Sequence, residues 1–337
     1  MSFRPLEIPL GAIRFNSDSQ KMEYFNGDVW MQVHTFSTEP LDGGHRGIFA
    51  AGGNGSPYSD VIEYITINTA GNAIDFGNLS ANRFAGAGAS SRTRGLFMGG
   101  GTPTRLNFIE YVTIPSLGDA HDFGDTLVEG SQGGGCSNQT RACYMGRSSS
   151  SGIRNVIDYV TIASAGDAID FGDISSIREQ NAGSASPTRG LNWGGINPNP
   201  INVIEYITIS TTGNTQDFGD TITKGNVMSG AGGSATRGVL GNGQHPSPSV
   251  TDIIQYVTYS TLGNSPDFGN LTTARNDGAA VSDSLRIAWG GGTAPAAVNI
   301  IDFVSIPTQG NAVDFGDLTG VSRTNFGGVS SGHGGLG

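Results

Sequence analysis

The sequence has few cysteines, few charged residues and no long apolar run, and each shortage excludes a class of protein. Its 337 residues include two cysteines, Cys136 and Cys143, too few for a disulfide framework. They either form one disulfide or stay free and buried, as is usual in a chain without an export signal. No run of about 18 apolar residues could span a membrane, and no basic flank precedes an apolar segment at the N-terminus. The sequence predicts a protein that is made soluble, is not exported by that route and does not insert into a membrane.

Positive charge is also scarce. Charged residues make up 14% of the sequence, and 18 Lys and Arg stand against 29 Asp and Glu, which gives a net charge of −11. Binding to nucleic acid phosphates requires clustered Lys and Arg, and the sequence has no such cluster. We therefore expect neither nucleic acid nor an anionic membrane surface as a partner.

Glycine, in contrast, is abundant, and its 54 copies recur at fixed positions of a repeat. The tripeptide Asp-Phe-Gly begins at Asp75, Asp122, Asp170, Asp217, Asp267 and Asp314, with spacings of 47, 48, 47, 50 and 47 residues. A constant period in this range is typical of propellers and solenoids, in which each repeat buries its apolar face against its neighbours.

Each repeat contains four predicted strands. A segment rich in Gly, Ala and Ser gives the first strand. An Arg-Gly signature opens the second strand at Arg46, Arg94 and Arg189, with degraded copies at Arg141, Arg237 and Arg286. Alternating residues such as Ile62 to Ile67 predict the third strand, and the Asp-Phe-Gly segment predicts the fourth. Small residues in the first strand allow close approach of another backbone, as the inner strands of a propeller require.

The two ends of the repeat array complement each other. The second strand at Arg46 has no first strand before it, and the first strand at residues 323–331 has no second strand after it. Pairing them would remove exposed edges. The sequence thus predicts an all-β fold, a six-bladed β-propeller closed by N- and C-terminal strands over residues 43–337, plus a small N-terminal β module over residues 1–42.

The order of these signatures resembles the kelch repeat over roughly residues 46–332. The usual kelch Trp of the fourth strand is replaced by Phe at Phe76, Phe123, Phe171, Phe218, Phe268 and Phe315. The resemblance implies the propeller fold but no activity, because one fold carries many functions.

The N-terminal segment has three predicted short strands with an Asn26-Gly27 hairpin signal. Its sequence pattern consists of Gly11, Ile13, Arg14, Phe15, Asn16, Asp18, Glu23, Tyr24, Gly27 and Trp30. In these residues the segment resembles small β modules of tail-fibre, collar and other structural proteins of tailed bacteriophages, and the repeat itself resembles structural proteins of marine and cyanobacterial phages. The resemblance implies a virion protein assembled in the host cytoplasm, with Phe15, Tyr24 and Trp30 as docking residues. The alternative is that the module only caps the propeller.

We expect no catalytic residue, metal or cofactor. Six copies of Asp-Phe-Gly without the other kinase motifs argue against a kinase site, and we interpret the Asp as capping a turn. Calcium is an alternative, although the oxygen spacing differs from that of an EF-hand. A further hypothesis pairs each of these Asp residues with an Arg of the second strand, so that Asp170→Ala would lower the melting temperature. The five histidines have no metal-ligand spacing.

The connections between second and third strands vary most between repeats, and variable loops on a rigid scaffold often carry recognition. The alternative is that these loops are merely solvated. Trp193 and Trp289, at matching positions of the second strand, are predicted to be core residues. Candidate receptor-contact residues in the connections are Tyr58, Arg105, Arg147, Arg154, Asn199 and His245.

Together these patterns predict a non-enzymatic virion structural protein, oligomeric within the particle. Its partners would be other proteins of the tail, neck or capsid, and its role would be adhesion to a host-surface glycan or receptor, or decoration of the particle. Two alternatives stay open: a cytoplasmic kelch-like interaction scaffold and a carbohydrate-active enzyme.

Overall fold

The computed structural model describes residues 8–16, 21–32, 45–53, 58–225, 230–241, 243–244, 249–319, 323–324 and 326–332. The chain divides into two compact units, Met1–Leu41 and Asp42–Gly337. All regular structure in the described residues is β, with no helix, and so none that is long and apolar enough to cross a membrane.

The first unit contains a three-stranded antiparallel sheet in the order β1-β2-β3. Its second turn follows the Asn-Gly signal. The Asn26 side chain accepts hydrogen bonds from the backbone N–H groups of Asp28 (3.0 Å) and Val29 (2.8 Å), as Asn does in tight turns. The strands are β1 (Ile13–Asn16), β2 (Lys21–Phe25) and β3 (Trp30–Gln32).

The second unit contains six four-stranded antiparallel sheets, which we number 1 to 6 along the chain. Sheet 1 contains β4 (Arg46–Ala50), β5 (Val61–Thr66) and β6 (Ile74–Asn78). Sheet 2 contains β7 (Ala87–Ser90), β8 (Arg94–Met98), β11 (Phe108–Thr113) and β12 (His121–Asp125). A small hairpin of β9 (Gly101–Thr102) and β10 (Thr104–Arg105) connects β8 to β11. Sheet 3 contains β13 (Gly134–Ser137), β14 (Arg141–Ser149), β15 (Gly152–Thr161) and β16 (Ile169–Asp173).

Sheets 4 to 6 repeat this plan. Sheet 4 contains β17 (Ala182–Ala185), β18 (Arg189–Trp193), β21 (Val203–Thr208) and β22 (Gln216–Asp220), with β19 (Ile196–Asn197) and β20 (Asn199–Pro200) as its small hairpin. Sheet 5 contains β23 (Ala231–Gly233), β24 (Arg237–Leu240), β27 (Ile253–Thr258) and β28 (Asp267–Asn270), with β25 (Gly243–Gln244) and β26 (Val250–Thr251). Sheet 6 contains β29 (Ala279–Ser282), β30 (Arg286–Gly290), β33 (Ile300–Ser305) and β34 (Val313–Asp317), with β31 (Thr293–Ala294) and β32 (Ala296–Ala297).

The first strand of sheet 1 comes from the other end of the chain. Strand β35 (Gly327–Ser330) pairs antiparallel with β4, so that Gly327 lies opposite Ala50 and Ser330 opposite Gly47. The strand count of the sequence predicts this pairing. Each first strand also contacts the first strand of the next sheet, and β29 of sheet 6 contacts β35 of sheet 1.

Glycine permits this close approach of the first strands. A Cβ added at Gly135 would lie 2.2 Å from the carbonyl oxygen of Gly88, and one added at Gly183 would lie 2.1 Å from that of Gly135. Serine hydroxyls link the same strands, since Ser137 donates to the carbonyl of Ser90 (2.8 Å). A side chain at Gly135 or Gly183 would therefore push these neighbouring strands apart.

Apolar side chains from neighbouring sheets form the core between them. The cluster between sheets 1 and 2 contains Ile62 and Phe76 together with Val112 and Ile114, and an equivalent cluster joins sheet 6 to sheet 1. The Phe of each Asp-Phe-Gly is buried and meets the aromatic ring of the third strand edge-on, as Phe76 does with Tyr64 at 6.0 Å. Trp193 and Trp289 are fully buried, so the prediction that they belong to the core is confirmed.

The glycine of Asp-Phe-Gly is required where the next sheet's turn docks. Gly77 has φ +152°, and a Cβ there would lie 2.4 Å from the carbonyl oxygen of Gly118. The Gly118 N–H donates to the carbonyl of Phe76 (2.9 Å), and the Asp119 side chain accepts from the N–H of Asn78 (2.9 Å). We call this pair of hydrogen bonds the inter-sheet latch. It recurs in all six sheets, with Asp or Asn acceptors at Asn72, Asp119, Asp167, Asn214, Asn264 and Asn311.

The aspartate of Asp-Phe-Gly does not have the turn-capping role that the sequence suggested. Asp75, Asp122 and Asp170 are exposed, while the residue after the turn glycine binds the neighbouring backbone. The second-strand arginines do not pair with these aspartates among the described contacts. Arg94 donates to the carbonyl of Ile162 (2.7 Å) in the next sheet and lies 4.4 Å from the ring of Tyr111. The Asp–Arg pairing hypothesis is therefore wrong.

Asn214→Ala should consequently destabilise the protein more than Asp170→Ala. The first change removes the acceptor of the Asp173 N–H (3.0 Å) and should cost about 0.5–1.5 kcal/mol. The second alters an exposed side chain and should stay within about 0.5 kcal/mol. Denaturant unfolding of the two variants against the unmodified chain measures the difference, and the reverse order would restore a stabilising role for the Asp-Phe-Gly aspartate.

The two cysteines are free, buried and opposite each other on β13 and β14. The hydrogen bond with Cys136 and burial raise the pKa of Cys143 well above its ordinary value. A thiol with a raised pKa is a poor nucleophile because little thiolate is present.

Candidate functional site

One end of the six-sheet unit carries the segments that differ most between repeats. We call it the hairpin end, and it consists of the connections from second to third strand together with the segments that lead into the first strands. Sheets 2, 4, 5 and 6 each place a small two-stranded hairpin there, and in sheet 3 the strands β14 and β15 continue into one long hairpin. Isolated bridges fasten these elements together: Gly53–Thr324, Phe84–Gly101, Ser131–Ser148, Glu179–Ile196 and Asn276–Thr293.

The bridging residue before each first strand is variable, whereas the residue preceding it is usually arginine. Those arginines are Arg83, Arg178, Arg275 and Arg323, and the residues that follow them are Phe84, Glu179, Asn276 and Thr324. This position is hard to recognise from the sequence because Gly, Ala and Ser surround it. Aligning the repeats on the arginine would have found it.

Buried ion pairs hold the hairpin end in place. Arg83 lies 2.7 Å from Glu110, and Arg323 lies 3.0 Å from Glu63. Arg178 pairs with Glu205, and Arg275 pairs with Asp302. Each pair joins the segment before one sheet to the third strand of that sheet.

Burial acts against the charged form of these side chains. It lowers the pKa of Arg83 and of Arg178, and the partner carboxylates oppose this shift. It raises the pKa of Glu63, which Arg323 opposes. Removing one partner of such a pair is costly because the other charge stays buried.

Sheet 3 has an equivalent buried ion pair, but its arginine comes from a different position in the sequence. Gly130 stands where sheets 1, 2, 4 and 6 have the arginine, and Arg147 of β14 pairs with Asp158 instead. A Cβ at Gly130 would lie 2.7 Å from Cδ of Arg147, so the glycine makes room for it. Arg147 is fully buried, which removes it from the predicted receptor-contact residues because it cannot reach a partner on the surface.

Two of the predicted contact residues do meet at the hairpin end. The rings of Tyr58 and Phe84 lie 4.5 Å apart at 34°, and the Arg105 guanidinium lies 5.6 Å from the Phe84 ring. Arg105 also donates to the Ser148 hydroxyl (3.2 Å) of the sheet 3 hairpin. The half-buried cluster offers aromatic faces beside a cation, a combination that can bind sugar rings or carboxylates.

Two further predicted contact residues, Arg154 and Asn199, lie elsewhere on the hairpin end. Arg154 donates to the Ser149 hydroxyl (3.2 Å) on the long hairpin of sheet 3. Asn199 is exposed on β20 of sheet 4. His245 lies outside the described residues.

A pocket of about 410 Å³ opens at the hairpin end between sheets 5 and 6. Its lining includes Val250, Thr273, Asn276, Asp277, Thr293 and Pro295. Nothing in the sequence analysis pointed to it, because its residues come from three separate segments. Within the described part of the chain, no three His, Cys, Asp or Glu side chains lie close enough to hold a metal ion.

The first unit carries a second candidate surface, an exposed apolar face of its sheet. Register places Ile13, Phe15, Met22, Tyr24 and Met31 on this face, and each is 40–67% exposed. We call it the apolar face. Contiguous exposed apolar surface of this kind usually marks a contact with another molecule.

The opposite face of that sheet is polar and internally paired. Arg14 lies 2.8 Å from Glu23 and 4.1 Å from the Trp30 ring, and Trp30 also contacts Phe25 at 5.5 Å. Hydrogen bonds from Asn16 and Arg14 lower the pKa of Glu23. The three predicted docking residues are therefore divided, with Phe15 and Tyr24 on the apolar face and Trp30 on the other.

A comparison with protein families finds no family model that matches this chain, and a comparison with curated proteins finds no matching relative.

Proposed function

We propose that this chain is a non-enzymatic structural protein of a tailed-phage virion. The apolar face of its first unit docks on another virion protein of tail, neck or capsid. The second unit is a closed six-bladed kelch-like propeller that presents its hairpin end for adhesion to a host-surface glycan or receptor, or decorates the particle.

The observation that carries this proposal is the apolar face. A three-stranded sheet of this size has too little core to be stable by itself, and its five large apolar side chains remain exposed. Covering them requires a partner of apolar character. Burial of Phe15 alone would contribute about 1.5–3 kcal/mol.

Contacts among the six sheets support the closed propeller. The first strands contact one another in sequence from sheet 1 to sheet 6 and back to sheet 1. At the periphery, the Gly71 N–H of sheet 1 donates to the Phe315 carbonyl of sheet 6 (2.8 Å). A rigid scaffold of repeated latches suits the display of variable segments.

Phe15→Lys should reduce incorporation of the chain into particles at least about tenfold, because a charge on the apolar face opposes burial. Asp28→Asn is the matched control, since it changes net charge by the same amount in the exposed turn. Quantitative mass spectrometry of purified particles, with the variants supplied in place of the unmodified chain, gives the measurement. Equal incorporation of Phe15→Lys would remove docking through this face.

Cryo-electron microscopy of purified particles tests the proposal as a whole. Density for the chain at the tail or its fibres would support adhesion, and density over the capsid would support decoration. Absence of the chain from the particles would overturn the proposal and leave the kelch-like cellular scaffold as the better hypothesis.

A further inference from the structure

The pocket between sheets 5 and 6 is built from parts that hold one another in position. The Asn276 N–H donates to the Thr293 carbonyl (3.2 Å), and the Thr293 N–H donates back to the Asn276 carbonyl (2.8 Å). The preceding residue, Arg275, is fully buried against Asp302 and donates to the Trp289 carbonyl (3.1 Å). These contacts hold the backbone of Asn276 in place where its side chain lines the pocket.

The Asn276 side chain has an unused hydrogen-bonding atom. Asn276 is 7% exposed, and its Oδ1 is buried with no hydrogen-bond partner among the described residues. A buried acceptor without a partner costs about 1–3 kcal/mol. A ligand that donates a hydroxyl or N–H proton to Oδ1 would remove that cost.

The rest of the lining favours a small molecule that is uncharged and carries several hydroxyl groups. Thr273 and Thr293 provide hydroxyls and Asp277 a carboxylate, while Val250 and Pro295 provide apolar surface. Among the described residues of the lining there is no Lys or Arg, so none of them favours an anion. The volume of about 410 Å³ lies within the range of small-molecule sites, about 300–1,000 Å³.

Asn276 occupies a position whose residue type differs from sheet to sheet, although its backbone bridge is repeated. Phe84, Ser131, Glu179 and Thr324 make the equivalent bridge in other sheets. The chemistry of the side chain changes there while the bridge to the hairpin end is kept. A residue of this kind is suited to determine ligand specificity.

We infer that this pocket binds one neutral sugar residue of a surface glycan, with Asn276 Oδ1 accepting a hydroxyl proton and Asp277 accepting another. The inference rests on the proposed adhesion role and makes it more specific. Val250 and Pro295 contact the apolar side of the ring, and the threonine hydroxyls complete the hydrogen bonding.

Saturation-transfer NMR on the intact chain tests the inference, with glucose, galactose and N-acetylglucosamine as neutral probes and glucuronic acid as the anionic probe. At least one neutral probe should be saturated at millimolar concentration, and glucuronic acid should bind more weakly. Asn276→Ala should weaken the binding at least about fivefold, the effect of one lost hydrogen bond. Thr293→Val, which keeps side-chain volume, should weaken it in the same direction.

Glu179→Ala changes the equivalent bridging residue of sheet 4 and is the matched control, which should bind the neutral probe as the unmodified chain does. Saturation of no neutral probe, preference for glucuronic acid, or unchanged binding by a folded Asn276→Ala variant would each overturn the sugar site. Location on the particle is a separate result. A chain that binds sugar but is absent from particles refutes the virion role alone, whereas a particle-bound chain that binds no probe refutes the sugar site alone.

Discussion

Deletion of residues 323–337 should abolish cooperative unfolding of the six-sheet unit. The deletion removes β35, which pairs with β4 on the side of sheet 1 away from β5, and with it the fully buried side chains of Phe326 and Val329. It also removes Arg323 from the buried carboxylate of Glu63. The apolar losses are about 1.5–3 kcal/mol for each side chain, and an unpaired buried charge costs about 3–5 kcal/mol.

These losses are comparable with the whole stability of a typical domain, about 5–15 kcal/mol. The exposed edge of β4 should in addition promote association of the truncated chains. Thermal unfolding and size-exclusion chromatography measure both effects. A chain that ends at Gly332 keeps β35 and is the control, and a monomeric 1–322 chain with an unchanged melting transition would contradict the prediction.

Arg178→Gly should destabilise the protein by about 3–5 kcal/mol, because the Glu205 carboxylate would remain buried without its cation. Sheet 5 indicates how the protein tolerates the absence of this pair. There Gly225 stands at the arginine position and Gln255 at the carboxylate position, so both charges are replaced. Gln255 accepts hydrogen bonds from the Ser265 hydroxyl (2.6 Å) and the Ile222 N–H (2.8 Å).

The double variant Arg178→Gly with Glu205→Gln should therefore regain about half of the lost stability. In sheet 4 the Thr215 hydroxyl stands where Ser265 stands in sheet 5, and it is buried with no hydrogen-bond partner among the described residues. It can donate to the introduced amide as Ser265 does. Urea unfolding of the single and double variants gives the comparison, and a double variant no more stable than the single one would show that the loss does not come from the unpaired charge.

Prediction from the sequence succeeded where the repeat determines the structure. The alternation of residues 62–67 and the turn signals gave four strands per repeat, and the unmatched ends gave the pairing of β35 with β4. Both follow from local patterns that a four-stranded antiparallel sheet must have. The burial of Trp193 and Trp289 was predictable for the same reason, because each lies in a second strand.

Prediction failed where a side chain's role depends on residues from another strand or segment. Asp170 belongs to the Asp-Phe-Gly tripeptide, which occurs six times in the sequence, yet its side chain is exposed. The inter-sheet hydrogen bond is made instead by Asn214, at a position that is Asp in some repeats and Asn in others. Arg147 lies in a variable connection, which suggested an exposed residue. It is buried because Gly130, seventeen residues earlier in the sequence, leaves space for its side chain.

The sequence by itself determined the number of repeats, the strands within each and the division between a short N-terminal unit and the array, because period and alternation are local properties of the chain. Only the tertiary structure decided which charges pair, where the pocket between sheets 5 and 6 opens, and how Tyr58, Phe84 and Arg105 meet. These features join residues from separate strands and connecting segments. Their positions follow from the packing of one sheet against the next, which no single repeat specifies.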